Sequence, residues 1–311
     1  MKYLNIKNEI ANASEIALGM MRISGMRLKD IDELVNVALD NGINFFDHAD
    51  IYGGGKCEEM FAGAIGMNPR IREKLIIQTK CGIRDGFYDF SKEYIINSVE
   101  GSMKRLKTDY IDVLLLHRPD TLMQPEEVAE AFDSLRKSGK VRYFGVSNQK
   151  PYQIEFLQKY LNKAGIEIII NQLQLSITNT GMIDSGLNVN MENANSINHD
   201  GDILEYCRLK EITIQAWSPF QYGFFDGAFL GNLDKFPKLN EVIDKYAKKY
   251  NVTNSAMAIA WILRHPAKMQ PIVGSTNKTR IAEICKASEI SAHLTRQEWY
   301  EIYRSAGNEL P

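Results

Sequence analysis

Four polar residues of types suited to proton transfer lie at or just after the ends of three successive apolar runs: Asp47, Tyr52, Lys80 and His117. A tyrosine phenol has a pKa of about 10, which is too high for efficient proton donation at neutral pH. A lysine close to the phenol oxygen would stabilise the phenolate and lower that pKa, and a buried carboxylate would hold the lysine charged. A histidine can bind the same substrate oxygen. These residue types therefore predict a proton-donor site for the reduction of a carbonyl group.

The apolar runs belong to a repeated pattern in which a run of β-branched or aliphatic residues is followed by a loop and a helical pattern. The eight runs are Ile16–Leu18, Phe45–Phe46, Leu75–Ile77, Ile111–Leu116, Val141–Val146, Ile166–Ile170, Ile212–Ala216 and Ile272–Val273. Dividing 311 residues by eight gives about 39 per unit, which is typical of the βα repeats of a TIM barrel. An open doubly wound sheet would alternate similarly, but no glycine-rich dinucleotide fingerprint follows the first run. We therefore predict an α/β fold, a (β/α)8 TIM barrel, with residues 1–311 as a single domain.

Two segments depart from a plain eightfold repeat. Ser176–Asp202 is polar and rich in Asn and Gly, which predicts a long loop on the active face; loops of this length are usually functional or mobile. An extra C-terminal helix is predicted over about Thr295–Ala306, because Thr295 and Glu298 form the pattern of a capping box. In TIM barrels the carboxyl ends of the strands form the active face, so the residues that follow the eight runs should meet there.

The composition excludes several classes of protein. The formal net charge is −2 and 44% of the residues are hydrophobic, which argues against a broad basic field for nucleic acid and against disorder. No apolar stretch approaches the roughly 18 residues of a membrane span, and the N-terminus lacks the apolar block of a signal peptide. The four cysteines lack the spacing of a zinc or redox motif, which fits a reducing cytosol. We therefore expect a cytoplasmic protein, with a monomer favoured, that binds neither nucleic acid nor a membrane.

The polar residues and their surroundings resemble the aldo-keto reductases. They lie in the motifs FDHADIYGGG, TKCG and LLLHRPD, and the DHADIYG portion resembles the bacterial-type branch of the family. GVSN, NQ, WSPF and GSTNKTR follow in the family's order and spacing. The resemblance extends from about Ile16 to the C-terminal helix. It implies a (β/α)8 barrel that binds NADPH without a Rossmann domain.

The same resemblance implies an NADP-dependent oxidoreductase that transfers a hydride to the carbonyl of an aldehyde or ketone and gives an alcohol. The partner would be a small-molecule carbonyl substrate. Tyr52 would be the general acid, and His117 would orient the carbonyl. Lys80 would lower the pKa of Tyr52, and Asp47 would pair with Lys80.

The resemblance also implies which residues contact the cofactor. Ser147, Asn148 and Gln172 match positions that hydrogen-bond the nicotinamide carboxamide, and Trp217 matches the aromatic residue that stacks on the nicotinamide ring. The positions around the phosphates and the adenine are Ser218, Gln221 and Gly223 over the pyrophosphate, Gly274, Ser275, Thr276, Asn277 and Arg280 near the 2′-phosphate, and Glu283 at the adenine. Backbone and hydroxyl donors at the end of a strand, followed by a helix N-terminus, suit a phosphate.

Two positions differ from many relatives. His48 stands where threonine is common, and we interpret it as a structural histidine. Gly274 stands where many relatives have a lysine that clamps the 2′-phosphate, although Arg280 remains and Lys278 is a candidate to compensate. We therefore expect NADPH as the cofactor, with NADH as the less favoured alternative.

Three other functions deserve comparison. Schiff-base lyases also carry their nucleophilic lysine at the end of a barrel strand, so Lys80 is compatible with a lyase. A non-catalytic nicotinamide-binding redox sensor is a further alternative, against which the intact set of four polar residues argues. A metal site of His48, Asp50 and His117 is disfavoured, because the spacing is poor and Lys80 would oppose a cation, so we predict no metal.

Overall fold

Eight parallel strands close into a barrel in the computed structural model, which describes residues 1–311. The strands, numbered in chain order, are β1 (Tyr3–Ile6), β2 (Ile10–Ser14), β3 (Ala17–Gly19), β4 (Phe45–Asp47), β5 (Ile76–Cys81), β6 (Ile111–Leu116), β7 (Val141–Ser147), β8 (Ile168–Gln174), β9 (Thr213–Trp217), β10 (Gln221–Tyr222), β11 (Gly227–Ala228) and β12 (Gln270–Val273). The barrel runs from β3 to β9 in sequence order, and β12 closes it between β9 and β3. Each predicted apolar run overlaps one barrel strand, so the predicted TIM barrel is confirmed.

Helices cover the outside of the barrel. They are α1 (Leu28–Asp40), α2 (Lys56–Ala64), α3 (Pro69–Arg72), α4 (Lys92–Leu106), α5 (Pro125–Lys137), α6 (Pro151–Leu161), α7 (Gly181–Leu187), α8 (Ile203–Leu209), α9 (Pro237–Tyr250), α10 (Asn254–Leu263), α11 (Lys278–Ile284), α12 (Ala287–Ile290) and α13 (Arg296–Ser305). Their apolar faces and the outer faces of the strands form the larger of two cores. Phe132 of α5, for example, stacks on Phe144 of β7 with ring centroids 4.1 Å apart. No helix has both the length and the apolar character needed to cross a membrane.

A hairpin of β1 and β2 closes the amino-terminal end of the barrel. Ile6, Ile10 and Ala13 of this hairpin share a second, smaller core with residues inside the barrel, among them Phe45 and Val113. The sequence analysis did not predict the hairpin, although its apolar and polar residues alternate as expected of strands. Because this end is sealed, the barrel opens only at the carboxyl ends of its strands.

Several strands continue beyond the apolar runs that predicted them. β5 extends to Cys81, β8 to Gln174 and β9 to Trp217. The extensions contain polar residues whose side chains lie inside the barrel, and a pattern based on hydrophobicity ends where such residues begin. Part of the polar lining of the barrel, including Gln78, Lys80 and Gln172, is therefore built on strands.

The segment predicted as one long loop, Ser176–Asp202, contains secondary structure of its own. It includes α7 and a 3-10 turn at Ala194–Ser196. The Tyr303 hydroxyl of α13 donates a 2.6 Å hydrogen bond to Asp184 in α7. The C-terminal helix is confirmed, and its Thr295 forms the predicted capping box with Glu298.

Candidate active site

A cavity of about 850 Å³ opens at the carboxyl ends of the barrel strands. The predicted site residues that line it are Asp47, Tyr52, His117, Ser147, Asn148, Gln172, Trp217, Ser218, Gln221, Gly274, Ser275 and Arg280. Lys80 lies behind this surface and is fully buried. Gly223, Thr276, Asn277 and Glu283 do not line the cavity, so their contact with a cofactor stays a prediction.

Lys80 is held by three partners inside the barrel mouth. Its Nζ lies 2.7 Å from Oδ1 of Asp47 and 2.8 Å from Oδ2, and it donates to the carbonyl of His48 at 2.8 Å and to the Tyr52 hydroxyl at 3.1 Å. Burial disfavours the charged ammonium, but the charges and hydrogen bonds of Asp47 and Tyr52 outweigh burial and raise the pKa of Lys80. The lysine is therefore a fixed cation at neutral pH.

Tyr52 begins a 3-10 turn, Tyr52–Gly55, that follows β4. Gly53 has φ +59°, and a Cβ at this position would lie 2.9 Å from Cβ of Ser24. Only glycine fits both the left-handed backbone and this close approach. The turn places the phenol over Lys80, so the two groups meet although 27 residues lie between them in the chain.

The net pKa of Tyr52 differs from the sequence-based expectation. Burial raises the pKa of the phenol above its usual value; Lys80 acts in the opposite direction, as predicted, but Asp47 adds to the effect of burial. A raised pKa keeps the phenol protonated throughout the neutral range. Where burial opposes a phenolate charge on Tyr52, the cation of Lys80 favours it.

His117 lies next to Tyr52, with ring centroids 5.9 Å apart and an edge-to-face angle of 79°. Burial lowers the pKa of its imidazole well below the usual value, and the charges of Lys80 and Arg118 lower it further. The ring is therefore neutral at neutral pH and carries one N–H. It can donate a hydrogen bond to an oxygen atom in the cavity but holds no extra proton to transfer. Asp47, Tyr52, Lys80 and His117 together form the acid–base cluster.

Two buried glutamines orient the carboxylate of Asp47. Gln78 Nε2 donates to Asp47 Oδ1 at 2.6 Å, and Gln172 Nε2 donates to the same oxygen at 3.1 Å. Both amides also donate to Oε1 of Gln215, at 2.8 Å and 2.9 Å. Asp47 therefore accepts hydrogen bonds from two amides inside the barrel in addition to Lys80, and these three donors fix the position of its carboxylate.

The amide chain continues toward the closed end of the barrel. Gln215 donates to Gln270 at 2.8 Å, and Gln270 donates to the carbonyl of Ser14 at 2.6 Å. A carboxylate at one end and a carbonyl at the other accept only, so every amide in the chain has one possible orientation. Gln78, Gln215 and Gln270 were not predicted, because they lie within or beside apolar runs. The signal that could have found them is a polar residue two positions before a residue that lines the barrel mouth.

The orientation of Gln172 bears on the nicotinamide site. Because its NH2 group faces Asp47 and Gln215, its amide oxygen is left without a partner at the cavity wall. That oxygen suits the NH2 group of a carboxamide. Asn148 was also predicted to contact the carboxamide. Its amide oxygen accepts a hydrogen bond from the indole N–H of Trp217 at 3.0 Å, and its NH2 group donates to Ser147 Oγ at 2.7 Å. The residues present therefore fit a nicotinamide.

Trp217 forms part of an aromatic wall. The ring of Phe225 lies 6.1 Å from it at an interplanar angle of 28°, and that of Phe224 lies 6.3 Å from it at 89°. Both phenylalanines belong to the β10–β11 hairpin, which Ser176 holds by donating to the carbonyl of Gln221 at 2.7 Å. These phenylalanines were not predicted, because nothing in a loop sequence shows which side chains turn toward the barrel mouth.

The β12 rim consists of Gly274 and Ser275, in the loop after β12, and Arg280, in the first turn of α11. The Arg280 guanidinium is exposed and has no protein partner. Lys278 pairs with Glu33 on the outer surface, so it does not replace the lysine that many relatives have at position 274. Asn277 is occupied as the N-cap of α11, where its side chain accepts from the Arg280 backbone N–H at 3.0 Å.

The three residues weighed as metal ligands do not share a site. His48 lies edge-on to Phe61 at 4.6 Å, and burial lowers the pKa of its imidazole to about 3. Asp50 accepts hydrogen bonds from Tyr94 at 2.9 Å and Ser98 at 2.8 Å. His117 alone of the three lines the cavity. No group of three or more His, Cys, Asp or Glu side chains is arranged to hold a metal ion.

Comparisons with known proteins agree with this geometry. The family model described as the Aldo/keto reductase family matches residues 15–306. YcsN of Bacillus subtilis, an uncharacterized oxidoreductase, is 37% identical over 313 residues, which cover 96% of each chain. A 6-dehydroglucose reductase of Agrobacterium fabrum is 34% identical, also over 96% of each chain. The crystal structure of a thermostable aldo-keto reductase with the inhibitor epalrestat has a TM-score of 0.75 and 25% identity, covering 98% of this chain and all of that one.

Proposed function

Because the chain belongs to the aldo/keto reductase family, we propose that it is an NADPH-dependent enzyme that reduces an aldehyde or ketone to an alcohol, with Tyr52 as the general acid. The observation that carries this proposal is the contact of 3.1 Å between the Tyr52 hydroxyl and the buried ammonium of Lys80. A relative that is 34% identical is a reductase of 6-dehydroglucose, which supports a carbonyl compound as the substrate class.

Each member of the acid–base cluster has one task in this reaction. When bound, NADPH would supply a hydride to the carbonyl carbon. Tyr52 donates a proton to the carbonyl oxygen as the negative charge develops there, and Lys80 stabilises the phenolate left behind. Asp47 keeps Lys80 charged and in place, and the neutral imidazole of His117 donates a hydrogen bond that orients the carbonyl. The sum is carbonyl compound plus NADPH plus a proton, giving alcohol plus NADP⁺.

The cofactor residues support NADPH over NADH. The unpaired guanidinium of Arg280 is a forked donor that suits a phosphate, and the hydroxyl of Ser275 lies at the same rim of the cavity. The Gly274 position lacks the charge that many relatives place there, and Lys278 is already paired. The enzyme should therefore prefer NADPH over NADH, but by a smaller factor than relatives that have the lysine.

The Schiff-base lyase is the weaker alternative. A nucleophilic lysine must lose its proton, yet the pKa of Lys80 is raised by Asp47 and Tyr52 against the effect of burial. Its Nζ already has three partners and no exposed surface. Two further expectations remain predictions, namely the monomeric state and the cytoplasmic location; four free, buried cysteines support a reducing compartment.

The decisive experiment follows NADPH oxidation with a panel of aldehydes, ketones, diketones and quinones, and repeats it with NADH. Reduction should consume one NADPH per alcohol formed, and deuterium placed at C4 of NADPH should appear on the carbinol carbon. Tight NADPH binding without turnover on the whole panel would favour the redox sensor instead. A borohydride-trapped adduct at Lys80 without NADPH consumption would establish the lyase.

A further inference from the structure

Two arginines of the cavity have no part in the acid–base cluster or the β12 rim. Arg22 follows β3, and Arg118 follows His117 at the end of β6. Neither guanidinium forms a salt bridge or a hydrogen bond within the chain. The single carboxylate among the residues that line the cavity is Asp47, which is paired with Lys80. The cavity therefore carries an excess of positive charge that the protein itself does not neutralise.

Arg118 shares this cavity with the acid–base cluster. It follows His117 in the chain, and its side chain lines the same cavity as His117 and Tyr52, the groups that would hold a carbonyl. Its guanidinium carbon lies 5.6 Å from the ring centroid of Trp217 and 5.8 Å from that of Phe224. Both rings are within cation–π distance of the half-buried guanidinium, while its N–H groups have no acceptor in the chain. An anion in that place would gain a charge-assisted, forked contact.

We propose that Arg118 forms a subsite for an anionic group of the substrate. This group is separate from the carbonyl, which Tyr52 and His117 would bind. The substrate class is then a carbonyl compound that also carries a carboxylate, sulfonate or phosphate. Ile51, Ile83 and Tyr88 line the same cavity, so the part of the substrate between its two polar ends is apolar or aromatic. This inference rests on the proposed carbonyl reduction but is tested separately from it.

The test compares 4-carboxybenzaldehyde with its methyl ester, and 3-carboxybenzaldehyde with its methyl ester. The acid and the ester of each pair have the same ring and the same aldehyde and differ in charge. We expect the wild type to prefer the acid of at least one pair by about tenfold in kcat/KM, the effect of one partly exposed charged contact. Arg118→Met should abolish that preference, and Arg118→Lys should keep part of it, because the charge remains while the fork is lost.

Arg22→Met is the matched control, since Arg22 is the other unpaired arginine of this set. If the anion binds through a local contact with Arg118, Arg22→Met should leave the ratio of kcat/KM for the acid to that for its methyl ester unchanged. Calorimetry with the product 4-(hydroxymethyl)benzoate and its methyl ester supplies a readout without turnover, and only the acid should lose affinity in Arg118→Met.

Several outcomes would overturn the subsite. One is a wild type that prefers neither acid. Another is an acid-to-ester ratio of kcat/KM that is unchanged in Arg118→Met, or that falls as much in Arg22→Met as in Arg118→Met. A third is a loss of NADPH affinity in Arg118→Met with an unchanged ratio, which would assign Arg118 to the cofactor. In each case continued reduction of the methyl esters leaves the proposed carbonyl reduction intact, whereas no reduction of any probe at any NADPH concentration removes both.

Discussion

The acid–base cluster and the β12 rim differ in how many of their polar groups already have partners. Lys80 is fully buried and makes every contact expected of it, and Asp47 accepts from Lys80 and two glutamines. At the rim, Arg280 is exposed and its guanidinium has no partner. In the cluster, Asp47 and Lys80 lie on strands and Tyr52 and His117 lie just after strands, whereas the rim comprises the loop after β12 and the first turn of α11.

This difference separates two requirements of an enzyme. Groups that stabilise developing charge act best when they are fixed and dry before the reaction, because they then need no reorganisation. Groups that capture a charged ligand must first be open to solvent and to the ligand. Substitutions in the cluster should therefore lower turnover and leave cofactor affinity intact, and substitutions at the rim should lower cofactor affinity and leave turnover intact.

The largest effect should come from Tyr52→Phe, which keeps the ring and removes the proton donor. Turnover should fall by about two to four orders of magnitude, the scale of general acid catalysis. NADPH affinity, measured by fluorescence titration, should change little. A variant that retains more than about a third of wild-type turnover would exclude Tyr52 as the acid.

Lys80→Met and Asp47→Asn should both lower turnover but move its pH dependence in opposite directions. Activity needs a protonated Tyr52, so it is lost as pH rises through the pKa of the phenol. Lys80→Met removes the cation that lowers this pKa, so the alkaline fall moves up in pH while the plateau drops by about 10- to 100-fold. Asp47→Asn removes the negative charge that raises the pKa of Tyr52, so the alkaline fall moves down in pH, and the plateau changes less because Lys80 is still present. Identical profiles in wild type and both variants would contradict the assignment.

Arg280→Ala tests the rim. It should weaken NADPH by roughly one to two orders of magnitude and barely change NADH, because a charged hydrogen bond to the 2′-phosphate contributes about 1.5–3 kcal/mol. Added salt should narrow the difference between the cofactors, since the side chain is exposed. Lys278→Ala is the matched control and should leave both affinities unchanged, because Lys278 pairs with Glu33. Equal loss of NADPH and NADH in Arg280→Ala would mean that the 2′-phosphate lies elsewhere.

The smallest effect should come from Trp217→Ala. Loss of stacking on the nicotinamide should weaken cofactor binding by about 1–3 kcal/mol, by analogy with base–aromatic stacking. Cofactor binding should quench the fluorescence of Trp217, whereas Trp261 and Trp299 stack on each other at 4.7 Å in the α10–α13 contact and should respond less. A quench that persists in Trp217→Ala would show that another tryptophan contacts the cofactor.

The sequence predicted the barrel and brought Asp47, Tyr52, Lys80 and His117 to one face, because each residue closely follows an apolar run and strand ends meet in a closed sheet. It did not predict features that depend on closure. The inward direction of Gln78 and the approach of the β10–β11 hairpin to the mouth follow from tertiary contacts that no local pattern records. The net rise in the pKa of Tyr52 was missed for the same reason, since the degree of burial is a property of the finished barrel.

The glutamines inside the barrel also bear on how the strands find their alignment during folding. Asp47 stands opposite Gln78 in the sheet register, and Gln215 stands opposite both Gln172 and Gln270. Apolar interiors tolerate misaligned strands, but a slip of one residue would turn a glutamine out of the barrel and leave its neighbours' amides unpaired. Each unsatisfied buried group costs about 1–3 kcal/mol. Misaligned barrels are thereby penalised at β4, β5, β8, β9 and β12 together, so the row of glutamines that orients Asp47 also selects the correct register.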